Sequence, residues 1–212
     1  MLNQDEKLVE GAVEFIRRNK KLLIERFASD KIFLPDSAPV SVFMAGSPGA
    51  GKTEISKELL KLYEETQDQK NIRIDADEIR DIIPGYTGQN SYLFQKAASR
   101  GVDVLHNHAL KNNKNFILDG TFSNYNIVCQ NIERSIKRER RVSITYVYQD
   151  PLIAWEFTQK REKTEGRKVP KGTFIEKLFL AKENVEKIKE KFGERVELDI
   201  VKKNFDHNIK KG

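Results

Sequence analysis

The stretch VFMAGSPGAGKTEISKELL, residues 42–60, constrains the fold more than any other part of the chain. Four apolar or small residues run into Gly46, Ser47, Pro48, Gly49, Ala50, Gly51, Lys52 and Thr53, and an amphipathic segment follows. This is G-x-x-x-x-G-K-[ST] in full, a pattern that works only between a strand and a helix. Glycines let backbone N–H groups turn inward around phosphates, the lysine reaches the β and γ oxygens, and the threonine hydroxyl can ligate Mg²⁺. The N-terminus of the following helix adds positive partial charge. Residues 46–53 are therefore expected to hold a nucleoside triphosphate, with Lys52 on the phosphates and Thr53 on the metal.

The rest of the pattern supplies the strands and helices such a loop needs. Apolar runs at 40–45, 72–74, 116–118, 143–148 and 196–201 predict strands, and helical spacing at 54–65, 91–111, 125–140, 152–162 and 174–192 predicts helices between them. Alternation of this kind argues for an α/β fold with a parallel sheet covered by helices on both faces. Ahead of it, Leu8, Val9, Ala12, Val13, Phe15, Ile16, Leu22, Leu23 and Phe27 fall at helical spacing, so residues 1–38 are expected to be one or two helices packed on the core. Residues 39–212 form the catalytic unit in this reading, with a polar lid over about 151–172.

A chain of 212 residues suffices for a single catalytic domain with an added helical element. The net charge of +6 is a weak pointer to phosphates. A single cysteine, Cys129, excludes an internal disulfide and argues against a cysteine-based metal cluster, which fits a reducing, cytoplasmic setting, and its apolar surroundings make it a core thiol. There is no signal-peptide pattern and no run of eighteen apolar residues, so no membrane association is expected. His106 and His108, two apart in a helical pattern, point to different faces and read as surface or partly buried residues, not metal ligands.

The acids and arginines downstream decide what the triphosphate is used for. NIRIDADEIR places Asp75 and Asp77 at the carboxyl end of the second strand, where side chains face the ligand crevice. Asp77 is either a base or the cap of a helix beginning at Glu78. NFILDGTFSN ends an apolar strand in Asp119, followed by Gly120 and Thr121, in the manner of a Walker B acid beside a substrate loop. Arg161 and Arg167 flank a glycine in a very polar segment and could swing over a γ-phosphate, although arginines in such a setting are commonly solvated.

Taken in order, GSPGAGKT, IDADEIR, LDGT and KREK…RKVPK resemble the zeta toxin family, P-loop kinases that phosphorylate UDP-N-acetylglucosamine and similar nucleotide sugars. The resemblance spans residues 40–185 and implies a P-loop kinase fold, ATP and Mg²⁺ as cofactors, and an antitoxin protein as a partner. It implies Asp77 as general base, Lys52 and Thr53 at the ATP phosphates and Mg²⁺, and Arg161 and Arg167 as lid arginines. It implies Asp103, Asp119 and Thr121 as acceptor-binding residues. Asp119 and Asp103 are each one methylene shorter than the family's glutamates, and Ser123 replaces an arginine. These changes lie on the acceptor side, so the reaction class is implied more firmly than the nucleotide sugar.

The reading is thus an ATP-dependent phosphotransferase acting on a small-molecule hydroxyl, a UDP-N-acetyl-sugar being preferred. Two alternatives stand beside it. A polynucleotide kinase would use the basic runs RSIKRERR at 134–141 and VKKNFDHNIKK at 201–211, although no aromatic cluster accompanies them to stack bases. A nucleotide-binding regulatory protein without transfer activity would account for the acceptor-side substitutions.

Overall fold

The computed structural model describes residues 3–67 and 70–203. Five strands, β1 (Val40–Ala45), β2 (Ile72–Asp75), β3 (Phe116–Asp119), β4 (Arg141–Tyr148) and β5 (Glu197–Lys202), form one sheet in the order β2-β3-β1-β4-β5. Every pairing is parallel. The central strand β1 is apolar and buried along almost its whole length, as a strand covered on both faces must be.

Eight α-helices accompany the sheet among the described residues: α1 (Gln4–Arg18), α2 (Lys20–Phe27), α3 (Lys52–Gln67), α4 (Ala76–Asp81), α5 (Gln95–Lys111), α6 (Tyr125–Ile136), α7 (Pro151–Glu165) and α8 (Lys171–Phe192). Alternation in β1 sends Phe43 and Ala45 into a large core shared with α5, α6 and α8, and Val42 and Met44 into a smaller one under Ile55 and Leu59 of α3. The α/β class and the covered parallel sheet expected from the sequence are what the chain adopts.

The N-terminal segment is two helices. An Asn3–Glu6 capping box starts α1. Ala12 and Ile16 of α1 and Leu23 of α2 are buried in the large core, against the helix α5. Gly101 of α5 makes this possible, because a Cβ there would sit 2.6 Å from Ile79 Cγ2 and 3.2 Å from Leu23 Cδ2.

Boundaries differ from expectation where turn chemistry intervenes. Residues 84–94 begin with Pro84-Gly85 and form turns, so α5 starts at Gln95 and not near 91. Helix α6 stops at Ile136, and Glu139 has a left-handed φ of 55° that no helix accommodates. Helix α4 begins at Ala76, two residues before the Glu78 start that a cap at Asp77 would give, and is only six residues long. His106 is fully buried between the rings of Phe43 and Phe116, not at the surface, while His108 meets Asp30 at 3.1 Å.

Candidate functional site

The carboxyl ends of β1, β2 and β3 converge, and the register sets Asp75 directly beside Asp119. The loop 46–51 leaves β1 and delivers Lys52 and Thr53 into the first turn of α3. Close approach explains its glycines: Gly49 has φ +74°, and a Cβ there would lie 2.1 Å from the carbonyl oxygen of Ala154 in α7. Helix α7 itself is set by the Asp150 cap, Pro151 in its first turn and the left-handed Gly166 at its end.

Lys52 is buried and its ammonium donates to the Ser47 carbonyl at 2.7 Å. Burial lowers its pKa to about 8; Asp119 opposes that shift, and Arg161, Arg167 and Lys177 reinforce it. Asp119 is tightly held: its Oδ2 accepts from Ser56 Oγ at 3.0 Å and from Arg73 Nη2 at 2.7 Å. Arg73, buried in β2, also pairs with Asp75 and Glu78, so one guanidinium ties the ends of β2, β3 and α4 together.

Asp75, not Asp77, caps α4, accepting from the Asp77 N–H at 2.8 Å. That removes the capping explanation for Asp77, whose carboxylate sits inside the first turn and is gripped by arginines. Arg80 Nη1 donates to its Oδ1 and Arg167 Nη1 to its Oδ2, with Arg161 Nη2 3.9 Å away. Arg161 also binds Glu165 at 2.9 Å.

The loop after β3 is fixed by a residue far along the chain. Asn184 of α8 donates to the Phe122 carbonyl at 3.0 Å, where Phe122 holds a strained φ of 63°. Within that loop the Thr121 and Ser123 hydroxyls are 2.8 Å apart.

Three hollows surround these groups. One, of about 240 Å³, is lined by Lys52, Thr53, Asp75, Asp77, Asp119, Thr121, Arg161 and Arg167, with Arg80, Gln95 and Lys177 behind them. A second, of about 370 Å³, runs from Gly49, Lys52 and Thr53 past Phe157, Lys160 and Lys203. The two share Gly49, Lys52, Thr53 and Arg161, so the phosphate loop is the wall between them. A third, of about 470 Å³, mixes acids with bases: Asp75, Asp77, Glu78, Asp81 and Glu165 line it with Lys57, Arg73, Arg161 and Arg167.

Asp103 stands apart from the other expected site residues. It lies on the exposed side of α5, outside all three hollows, where partial burial raises its carboxyl pKa and Arg134 and Arg100 pull it down. From α5 the cavity takes Gln95 instead. Sequence reading also missed Arg73, Arg80, Lys177 and Asn184. Two had a signal: Arg80 follows Asp77 at i+3, and an arginine inside a strand as short as β2 must find acids. Lys177 and Asn184 had none, since helix spacing does not say which face meets a cavity.

No group of three or more metal-ligating side chains occurs among the described residues. The donor set suits Mg²⁺, which takes few protein ligands and completes its shell with phosphate oxygens and water: the Thr53 hydroxyl lines the cavity together with Asp119 and Asp75. The basic run at 134–141 is largely committed to structure. Arg140 is buried, donating to Ser41 Oγ at 2.7 Å and the Lys114 carbonyl at 2.6 Å, and Arg134 binds Asn107. The second basic run lies mostly beyond residue 203, outside the described residues. No helix is long and apolar enough to cross a membrane among the described residues. Cys129 is buried in the core, with Lys191 Nζ 3.0 Å from its sulfur.

The architecture matches solved structures at low identity. The PezAT chromosomal toxin-antitoxin system of Streptococcus pneumoniae aligns with a TM-score of 0.68 and 17% identity, over 96% of this chain and 79% of that one. The AvrRxo1-ORF1:-ORF2 structure with ATP aligns with 0.58 and 14%, over 88% of this chain and 59% of that one. The Pnkp1/Rnl/Hen1 RNA repair complex gives 0.56 and 16%, over 72% and 47%. At such identities these likenesses speak for the fold. No curated protein matches the chain. Kinship comes from the family comparison: the zeta toxin model matches residues 24–209, and the chain therefore belongs to the zeta toxin family.

Proposed function

We propose that this protein is an ATP-dependent kinase that phosphorylates a hydroxyl of a small-molecule acceptor, with a UDP-N-acetyl-sugar as the preferred acceptor. The observation that carries the reading is that Asp77, Lys52, Arg161 and Arg167 line one cavity of about 240 Å³ beside the phosphate loop. Phosphoryl transfer asks the protein for positioning, charge neutralisation and a base, and these residues supply each.

In this reading ATP places its nucleoside in the hollow bounded by Phe157 and Lys203 and its γ-phosphate at Lys52. The acceptor hydroxyl enters from the Thr121 side. Its oxygen attacks the γ-phosphorus, the bond to the β–γ bridging oxygen breaks to release ADP, and Asp77 takes the hydroxyl proton. Arg161 and Arg167, now beside Asp77, neutralise charge on the transferring group. Mg²⁺ at Thr53 would supply further charge neutralisation on the phosphates. Asp119 acts through Ser56 and Arg73 to hold the crevice in shape, with Thr121 offered to the acceptor. Asp103 has no role at the cavity edge in this arrangement.

The family, and the toxin-antitoxin system to which the matched pneumococcal structure belongs, support an antitoxin protein as partner. Acceptor-dependent ADP release across a panel of UDP-sugars and other nucleotides tests the reading. Stimulation by a UDP-N-acetyl-sugar is expected; ATP binding with no acceptor-stimulated release anywhere in the panel would favour a regulatory protein.

A further inference from the structure

The cavity beside the phosphate loop holds more positive charge than nucleotide chemistry needs. Lys52, Arg80, Arg161, Arg167 and Lys177 line it, against Asp75, Asp77 and Asp119. Two of those acids, Asp75 and Asp119, are already paired with Arg73. On the kinase reading, on which this inference rests, the γ-phosphate accounts for Lys52, Arg161 and Arg167. Lys177 is left without a paired counter-charge among the described residues and Arg80 with only the Asp77 carboxylate that it shares with Arg167, and neither residue borders the other two hollows.

Arg80 is only 3% exposed, and while its two terminal nitrogens bind Asp77 and Gln95, its buried Nε has no hydrogen-bond partner. A buried N–H without an acceptor is costly, so the Arg80 side chain is held at the cavity wall with hydrogen-bonding capacity to spare. Lys177 reaches the cavity from α8 and forms no ion pair with an acid among the described residues. Partial burial lowers its pKa, and Arg167 and Arg80 lower it further, so an anion there would be welcomed. No aromatic side chain lines the cavity to stack a base.

We propose that Arg80 and Lys177 form an anion subsite for a phosphate group carried by the acceptor itself. The enzyme then recognises a small hydroxylated phosphate ester by its charge, and a nucleobase attached to that phosphate contributes little.

The test uses the full chain saturated with Mg²⁺ and a non-hydrolysable ATP analogue, which fills the phosphate loop. Calorimetry compares N-acetylglucosamine 1-phosphate and inorganic phosphate with neutral N-acetylglucosamine. Both phosphate-bearing probes should bind, the sugar phosphate at least tenfold more tightly than the neutral sugar, and Lys177→Met should erase most of that difference. Arg80→Lys, which keeps the charge but not the guanidinium fork, should weaken it in part. Equal affinity for sugar and sugar phosphate, or undiminished discrimination in Lys177→Met with an unchanged melting temperature, overturns the subsite. Label transfer from ATP is followed in parallel, so that loss of the kinase reading shows as binding preference without transfer.

Discussion

Lys52 sits in the cavity with its pKa lowered to about 8 by burial and by the surrounding arginines. Triphosphate oxygens beside it would restore the charge, so Mg·ATP binding should take up protons and weaken as pH rises through about 8. Calorimetry in buffers of different ionisation heat reads that uptake, and Lys52→Met should abolish it. The sign for stability follows from the same shift: the folded pKa lies below the unfolded one, so the cost of burying the charge is relieved as pH rises from about 8 towards the ordinary lysine value of 10.5. Asp75 and Asp77 divide their tasks by position. Asparagine caps helices as well as aspartate, so Asp75→Asn should keep the α4 cap yet lose the pair to Arg73, lowering stability by about 1–3 kcal/mol in urea denaturation. The phosphate-binding pattern and the DAD aspartates were legible because they are local in sequence. Of the partners that aim them, Arg80 is equally local, three residues from Asp77, whereas Arg73 reaches Asp119 across 46 residues of chain and Asn184 reaches Phe122 across 62, distances that spacing does not reveal.

At the scale of elements, the strands were the most legible, because a parallel strand buried on both faces leaves an apolar run, as β1 does. The break between β2 and α5 was the least legible: α4 is too short for a helical period, and 84–94 is held by turns. Helix packing there can be tested directly. Gly101→Ala gains about 1 kcal/mol of helix propensity but drives a methyl into Ile79 and Leu23, both fully buried, and overpacking of about 1–3 kcal/mol should win. Gly172→Ala, with nothing within 4 Å of its Cβ, should be neutral or stabilising. A rise in stability for Gly101→Ala would contradict the α2–α4–α5 packing. The end of α7 and the segment after Gly166 carry the lid arginines. If Arg161 and Arg167 act on charge developing in the transition state, alanine at either should lower kcat by about 10²-fold or more with little change in KM for ATP. Unchanged turnover in both would return them to surface ion pairing with Asp77 and Glu165.

For the whole molecule, the buried histidine ties stability to pH. Burial, reinforced by Arg134, Arg140 and Arg138 and opposed by Asn131, lowers the His106 pKa from 6.5 to about 3. Stability from the neutral ring is full above pH 6.5 and falls as pH drops towards 3, by up to about 1.4 kcal/mol per pH unit. Urea melts between pH 7 and 4 should show that slope, and His106→Leu should flatten it. The chain's kinship and P-loop kinase fold were readable from four ordered motifs, whereas the placement of Asp103 outside the cavity depends on how α5 is rotated against the sheet. The central claim is that this cavity transfers phosphate with Asp77 as base. It is tested by following ³²P from ATP to UDP-N-acetylglucosamine with the parent and with Asp77→Asn, at saturating ATP and acceptor, alongside ATP binding. The account predicts a labelled phosphomonoester from the parent and a fall of about 10²-fold or more in Asp77→Asn with ATP binding preserved. Equal transfer by the two proteins, or none by the parent, would contradict it.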